Sequence, residues 1–329
     1  MIKLFGKLTL FFSQKSIADI VGELPKPHTP MTDFLFPPSA RKQKQSPFIS
    51  VEEVKTETGA IPLVRRGSSS YPVDTTETTR TLIEVDPVSP SVFISARDIN
   101  DLIAMGETES VRAFIAEKTE LLRDRVSETI ETMSRQSLSG KINYPYATKD
   151  GIGGNCEIEL GTPKTLKPVN LSGADIPGIQ IWLEELYQAQ AATGASGDVV
   201  FLTGSGLYSF LVNKFVAAKL SAPVVWHPDG MTLFGKYKIQ AQGLTYRLPG
   251  SKETSKTLED NQALILDKSH TGKLFFAALD DLDANLAALP FYAKPVETKD
   301  PDGVKIVASS KPLPAPALSK MCRQTVAVA

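Results

Sequence analysis

The run ETESVRAFIAEKTELLRDRVSETIETMSRQSLSG, residues 107–140, constrains this chain more than any other stretch. Val111, Ile115, Leu122, Val126, Ile130 and Met133 recur at three-, four- and seven-residue steps, which on a helix makes one apolar stripe. Thr108 reads as an N-cap with Glu109 in the first turn, and Gly140 as the C-terminal stop, so a helix is predicted over 108–137. About thirty residues at 1.5 Å each give a rod of roughly 45 Å. Its other face carries Glu117, Glu120, Arg123, Asp124 and Glu131. A core must cover the stripe, whatever the protein does.

What precedes the helix has a different character. Residues 1–50 contain ELPKPHTP and FLFPPSARKQKQSPF, and Pro25, Pro27, Pro30, Pro37, Pro38 and Pro47 exclude regular helix through most of the span. An arm of this kind is held from outside its own core. From Val51 to Val88 the chain is rich in Thr, Val and Glu and reads as extended, with a turn at Ile61-Pro-Leu-Val-Arg-Arg-Gly-Ser-Ser-Ser70. A dozen residues each way at ~3.3 Å project roughly 40 Å. A ribbon of two strands is marginal alone in water and needs a partner surface. The two adjacent arginines at its tip suit a phosphate site, a nucleic-acid finger or a clasp on a neighbouring subunit.

After Lys141 the pattern is mixed α/β. NCEIEL, DVVFLTGSG, GKYKIQAQGLTYRL, NQALILDK and GKLFFAALDD read as strands, and IPGIQIWLEELYQAQAATG and LYSFLVNKFVAAKL as helices. The ending GVKIVASSKPLPAPALSKMCRQTVAVA alternates, is broken by prolines, and is expected to return beside the long helix. At 329 residues and 42% apolar composition the chain has material for more than one lobe.

Catalytic patterns are weak. Gly204, Gly206 and Ser209 follow a strand and precede a helix, like a degenerate dinucleotide loop, but serine replaces the third glycine and Asp229 falls in an apparent turn, WHPDG. Ser205 lacks a GxSxG elbow, and His227 has no evident carboxylate to orient it. The pairs Glu52/Glu53 and Glu184/Glu185 are adjacent in sequence and therefore point to different sides of a strand or helix. Cys156 and Cys322 match no zinc spacing and read as free buried thiols, and His28, His227 and His270 are scattered. No catalytic residue, cofactor or metal site is expected.

Net charge is −1, which gives no drive toward DNA or an anionic membrane. Residues 1–80 hold eleven Lys and Arg against eight Asp and Glu, whereas residues 81–139 hold six against eleven, a bias that suits head-to-tail packing of copies. Arg41, Lys42, Lys44, Arg65 and Arg66 have few aromatics among them and match no nucleic-acid-reading motif. The start MIKLFGKLTLFFSQKS superficially resembles a signal peptide, but Lys7 interrupts the apolar run, and an amphipathic segment docked on protein is expected. No stretch approaches the ~20 apolar residues of a membrane span.

The order of arm, ribbon with an Arg-Gly-Ser tip, long helix, α/β lobe and returning strand resembles the lambda-type major capsid proteins of tailed phages, the capsid protein E family. The residues that carry the resemblance are FLFPPS, IPLVRRGSSS with EVDPVSPSV after it, the helix ESVRAFIAEKTELLRDRVSETIE, and VKIVASSKPLPAPALSKMCRQTVAV. None is diagnostic alone; their order and spacing make the case.

The resemblance implies an α+β chain of the Hong Kong 97-type capsid fold. Its parts would be an N-terminal arm over 1–51, an extended β-hairpin (the E-loop) over 52–88, and a peripheral P-domain over 89–171 whose spine helix is 108–137. An axial mixed α/β A-domain over 172–302 and a C-terminal return strand of the P-domain over 303–329 would complete it. It implies a non-enzymatic shell protein, assembling with itself as hexamers and pentamers into an icosahedral head around double-stranded DNA. On this reading Val64, Arg65, Arg66, Gly67, Ser68 and Ser69 at the E-loop tip, and Phe34, Phe36, Arg41 and Lys42 in the arm, touch neighbouring subunits. Glu117, Glu120, Asp124 and Glu131 would be the acceptors.

Some members crosslink through a lysine–asparagine bond near the tip; arginines stand there in this chain, so no crosslink is expected. No long helical segment precedes the arm, so a separate scaffolding protein is expected, with a portal protein at one vertex and weak nonspecific contacts to packaged DNA; a decoration protein stays open as a further partner. The protein would sit in the virion capsid, assembled in the bacterial cytoplasm, with no membrane partner. Two other classes stay open: a nucleotide-binding α/β enzyme using the turn at Gly204, and another virion protein that oligomerises by exchanging β-arms.

Overall fold

The computed structural model describes residues 12–50, 82–104, 108–148, 151–218, 224–226, 231–242, 245–248, 253–299 and 301–328. In chain order the arm holds helices α1 (Gln14–Glu23) and α2 (Pro30–Leu35) and strands β1 (Arg41–Lys44) and β2 (Phe48–Ser50). Strands β3 (Leu82–Glu84) and β4 (Ser91–Ser95) lead into helix α3 (Ala96–Ala104), the long helix α4 (Thr108–Ser137) and the hairpin β5 (Lys141–Thr148) and β6 (Gly151–Glu159). Short strands β7 (Lys164–Thr165) and β8 (Val169–Asn170) precede helix α5 (Ile176–Ala191), strand β9 (Val199–Thr203) and helix α6 (Ser205–Ala217). Strands β10 (Val224–Trp226), β11 (Met231–Phe234), β12 (Tyr237–Ala241), β13 (Thr245–Arg247), β14 (Thr254–Lys256) and β15 (Gln262–Asp267) follow. The last are β16 (Gly272–Ala277), β17 (Tyr292–Lys299), β18 (Asp302–Ser309), β19 (Pro312–Pro316) and β20 (Cys322–Ala327).

Helix α4 spans the stretch read from its periodicity, and all six residues of the stripe are buried. The stripe serves two cores. Val111, Ile115 and Leu122 pack with Ile17 and Ile20 of α1 and with Ile94 and Ile306 of the three-stranded sheet β17-β18-β4. Val126, Ile130 and Met133 pack with Met31, Leu35 and Phe36 of the arm and with Leu274, Phe276 and Leu313 of the sheet β1-β16-β19. The helix stops where Gly140 takes φ +96°, and a side chain there would meet the carbonyl oxygen of Gly161 at 2.0 Å. Only glycine combines that backbone with that clearance.

The arm departs from expectation. Its prolines do not leave it waiting for an outside support: Pro30 opens α2 as the first helical residue, where a missing N–H costs nothing. From there β1 pairs in parallel with β16, Arg41 opposite Leu274. The arm's described part is thus folded on its own chain. The proline-broken ending is likewise a regular strand. Pro312, Pro314 and Pro316 occupy alternate positions of edge strand β19, which leaves the amides of Leu313 and Ala315 for β16.

The lobe is an eight-stranded sheet ordered β10-β11-β12-β9-β15-β20-β7, with β8 beside β20. The runs VVFL and ALIL are apolar throughout because β9 and β15 are covered on both faces. Phe201 and Ile265 join α5 and α6 through Leu183, Leu211 and Phe215, whereas Val200, Leu202, Leu264 and Leu266 face the core under α4. Two boundaries differ from the sequence reading. The lobe's contiguous part ends at Asp267, since β16 and β17 belong to the sheets packed with α4. The last strand, β20, does not stay by the helix but crosses into the lobe between β15 and β7.

Candidate assembly surfaces

The ribbon leaves and returns through one place. Strands β2 and β3 pair antiparallel, Ser50 opposite Leu82 and Phe48 opposite Glu84, so residues 51–81 begin and end side by side. The expected contacts Val64, Arg65, Arg66, Gly67, Ser68 and Ser69, and the pair Glu52/Glu53, lie outside the described residues. Phe48 and Leu82 are large apolar groups exposed at this base.

Beside the base, β3 and the β5–β6 hairpin enclose a groove of about 450 Å³, with Leu82, Glu84 and Asp86 on one side and Tyr146, Cys156 and Glu157 on the other. The Tyr146 hydroxyl donates to Asp86 Oδ2 at 2.7 Å, and this bond, with the Cys156 thiol next in effect, pushes the phenol above its ordinary range. Burial pushes the Cys156 thiol up as well. Glu157 and Glu159 share one lysine, Lys141, at 3.2 and 2.8 Å, and Glu159 is held low by it. The periodicity of the sequence held no sign of this groove, because its walls are fifty residues or more apart in the chain.

The four helix carboxylates divide. Glu117 is exposed and pairs with Lys118 at 2.9 Å; Glu120 and Asp124 make no ion pair among the described residues. Glu131 is the exception to the expected role. It is nearly buried, accepts from the amides of Met31 and Thr32 and the hydroxyl of Thr32, each at 2.9 Å, and pairs with Arg135 at 3.0 Å. It caps the first turn of α2 from across a hundred residues and is not available to a neighbour. Periodicity placed Glu131 on the charged side of α4, and only the docked arm makes that position interior.

The arm residues divide similarly. Phe36 is fully buried in its own core, which removes it from the inter-subunit set, and Phe34 is partly buried beneath the ammonium of Lys268 at 4.8 Å. Arg41 is engaged by Asp33 and by the Phe36 carbonyl. Lys42 is exposed. Other large apolar groups on the surface are Val225 and Trp226 on edge strand β10, Ile181 and Val216 on the lobe helices, and Leu282, 82% exposed, with Leu286 in the turn after β16.

The enzyme-like features resolve into packing. Gly204 is where the segment before β15 crosses the start of α6: a side chain there would stand 1.8 Å from the carbonyl oxygen of Glu259. The Gly204 amide donates to Gln262 and the Leu207 amide to Asp260, at 2.9 and 2.8 Å, so the helix start is covered by protein carbonyls and not open to a phosphate. Glu184 is held at about 2 by Lys236, and next by the Tyr237 hydroxyl, while Glu185 is exposed elsewhere on the helix. His227 and Asp229 lie outside the described residues. Cys322 is buried and Cys156 half-buried, both free. No described helix is long and apolar enough to cross a membrane.

The sequence model of the family described as phage major capsid protein E matches residues 13–327. No curated protein sequence matches significantly. Among solved structures, a protein assigned as a capsid protein of a prophage in E. coli CFT073 superposes with a TM-score of 0.64 at 16% identity, over 96% of this chain and 99% of that one. That likeness establishes a shared fold. The capsid asymmetric unit of cyanophage A-1(L) gives 0.45 at 13% identity over 93% and 95% of the two chains. The procapsid of satellite phage P4 with its size-determination protein gives 0.43 at 12% over 100% and 97%.

Proposed function

The chain belongs to the phage major capsid protein E family, and from that premise we propose that it assembles as hexamers and pentamers into an icosahedral head around double-stranded DNA. Forming a capsid shell is its function, and it is a structural protein of the virion. The observation that carries the reading is the extent of the match, from the start of α1 to the end of β20. Arm, helix, sheets and lobe all fall within it.

The fold assignment is of the Hong Kong 97 type. On it, α4 is the spine of a peripheral P-domain, with the sheets β1-β16-β19 and β17-β18-β4 around it; the eight-stranded lobe is the axial A-domain; and residues 51–81 with their base β2–β3 are the E-loop. The E-loop clasps a neighbouring subunit. A separate scaffolding protein guides closure, a portal protein occupies one vertex, and the DNA inside is held weakly and without sequence preference. Assembly takes place in the host cytoplasm.

The nucleotide-binding alternative loses its support, since Gly204 is required by the crossing of 259–262, which also packs closely on Gly206. The test is particle mass and shape, by light scattering and negative-stain microscopy, with and without the scaffold from the same genome. Closed shells hundreds of ångströms across are expected. A stable 35.7 kDa monomer under both conditions would refute the reading.

A further inference from the structure

The groove between β3 and the β5–β6 hairpin has an apolar and aromatic lining, from Leu82 and Tyr146, and an acidic one, from Glu84, Asp86 and Glu157 with Glu159 at the edge. Among the described residues Lys141 is the cation that answers these carboxylates, and it is already divided between Glu157 and Glu159. Glu84 has no ion-pair partner among the described residues, and Asp86 is met there by the phenol of Tyr146 and the thiol of Cys156, neither of them a cation. A groove of about 450 Å³ that pairs exposed apolar surface with negative charge unbalanced among the described residues fits a short segment that is both apolar and basic.

Adjacent basic residues occur at two places in this chain, Arg41-Lys42 and Arg65-Arg66. Arg41 to Lys44 is unavailable: it is strand β1, paired with β16, with Arg41 bonded to Asp33. The other is Leu63-Val64-Arg65-Arg66, and its place in the chain decides which copy it can serve. Residues 51–81 leave and return beside the groove, at Ser50 and Leu82, and Arg66 is their midpoint, with fifteen residues on either side. Fifteen residues reach at most ~50 Å. That length is far more than is needed to fold back on a groove adjoining its own base, and enough to cross to the next subunit.

We propose that the groove beside the E-loop base receives the Val64-Arg65-Arg66 segment of a neighbouring copy, with the arginines among Glu84, Asp86 and Glu157 and the valine against Leu82 and Tyr146. The inference rests on the shell-forming reading, and it replaces the helix carboxylates as the acceptors of the tip. Such a contact is heterologous, tip of one copy to groove of the next, and repeated it closes rings.

Cys156 makes the proposal testable, because a native half-buried thiol already lines the groove while Cys322 is buried elsewhere. In shells of the full chain carrying Ser68→Cys, which keeps both arginines, diamide oxidation is expected to join the new thiol to Cys156 of the next copy. Non-reducing gels then show a ladder of dimers and higher oligomers that disappears in the Ser68→Cys, Cys156→Ser double variant. Gly67→Cys serves as the second position if the first variant does not assemble. Shells that form at either position without a ladder overturn the proposal and leave the capsid reading intact. A fast-migrating crosslinked monomer overturns it in favour of the chain's own groove, and a ladder that survives Cys156→Ser overturns it in favour of another surface. Failure of the unaltered chain to form shells would instead overturn the reading beneath it. As a charge test, Glu84→Lys with Glu157→Lys is expected to lower shell yield at least ten-fold in the wild-type background, with recovery on adding Arg65→Glu and Arg66→Glu.

Discussion

Glu131→Gln tests how the arm is held. The carboxylate is 13% exposed and its partner Arg135 12%, so neither group can turn to water when the other is lost. One oxygen takes the Met31 amide and the Arg135 guanidinium, the other the amide and hydroxyl of Thr32. An amide side chain keeps one acceptor and presents an NH2 to donors at the second site. It also leaves Arg135 buried without its counter-charge. Removing one member of such a buried pair costs roughly 3–5 kcal/mol, and the bonds to a charged acceptor that go with it are worth about 1.5–3 kcal/mol each when counted separately. These overlap, so roughly 3–5 kcal/mol is the expected loss for the subunit. The exposed pair Arg125–Glu128 on the same helix supplies the control, since Glu128→Gln removes an interaction worth only ~0–1 kcal/mol. Urea titration of the unassembled subunit, at a slope of about 3 kcal/mol/M, should move the Glu131→Gln midpoint down by about 1 M or more. Limited trypsin digestion should cut after Arg41 sooner in the same variant. If the two variants have equal midpoints and equal digestion, Glu131 does not anchor the arm.

Glycine substitutions should separate by clearance. Gly204→Ala must displace the Glu259 carbonyl from 1.8 Å and is expected to cost about 3 kcal/mol or more, read as a lowered urea midpoint or loss of soluble protein. Gly22→Ala, within helix α1 and with nothing inside 4 Å, is expected to stabilise the subunit by about 0.5–1 kcal/mol in the same titration. Asp267 sets part of the acid limit: burial raises its pKa, but the amides of Ser269, Asp198 and Gly197 outweigh burial and bring it from 3.8 down to about 2. A depressed carboxylate contributes stability above its unfolded value and loses it as pH falls, here between about pH 4 and 2, a contribution of about 2 kcal/mol. Asp267→Asn should lower stability at pH 7 by that order and flatten the decline below pH 4, measured by thermal unfolding across pH.

The spine helix was legible because its signal is local: a stripe at three-, four- and seven-residue steps depends on nothing outside residues 108–137. So were β9 and β15, whose unbroken apolar runs are what a strand covered on both faces requires. What sequence periodicity does not contain is which polar residue another segment will cover. Glu131 belongs to the charged side of its helix by position and becomes interior only because Met31 and Thr32 dock there. Proline was over-read for a related reason. At Pro30 the missing amide falls on a helix's first turn, and at Pro312, Pro314 and Pro316 it falls on the outer edge of a sheet, so neither interrupts pairing. The groove was invisible because it is a meeting of β3 with β5 and β6, and neither wall has a motif.

Lobe and spine should unfold together, and the reason lies at the end of α4. Arg323 of β20 is buried, burial lowers its pKa, and its guanidinium donates to the Leu138 carbonyl at 2.5 Å. That carbonyl is at the C-terminal end of a thirty-residue helix, where the macrodipole favours a cation. Around this bond, Val200, Leu202, Leu264 and Leu266 carry the lobe sheet into the same core as Val126, Ile130 and Met133. A lobe that lost its structure alone would open that core to water, and a spine that melted alone would strip one face of the lobe sheet. The two tryptophans, Trp182 and Trp226, both belong to the lobe, whereas α4 alone is longer than α5 and α6 together and weighs the helical signal toward the spine. Tryptophan fluorescence and circular dichroism at 222 nm, followed through one urea titration, should therefore give coincident transitions. A fluorescence midpoint clearly below the dichroism midpoint would mean that the shared core does not couple them, and that the lobe can rearrange in a shell while the spine stays fixed.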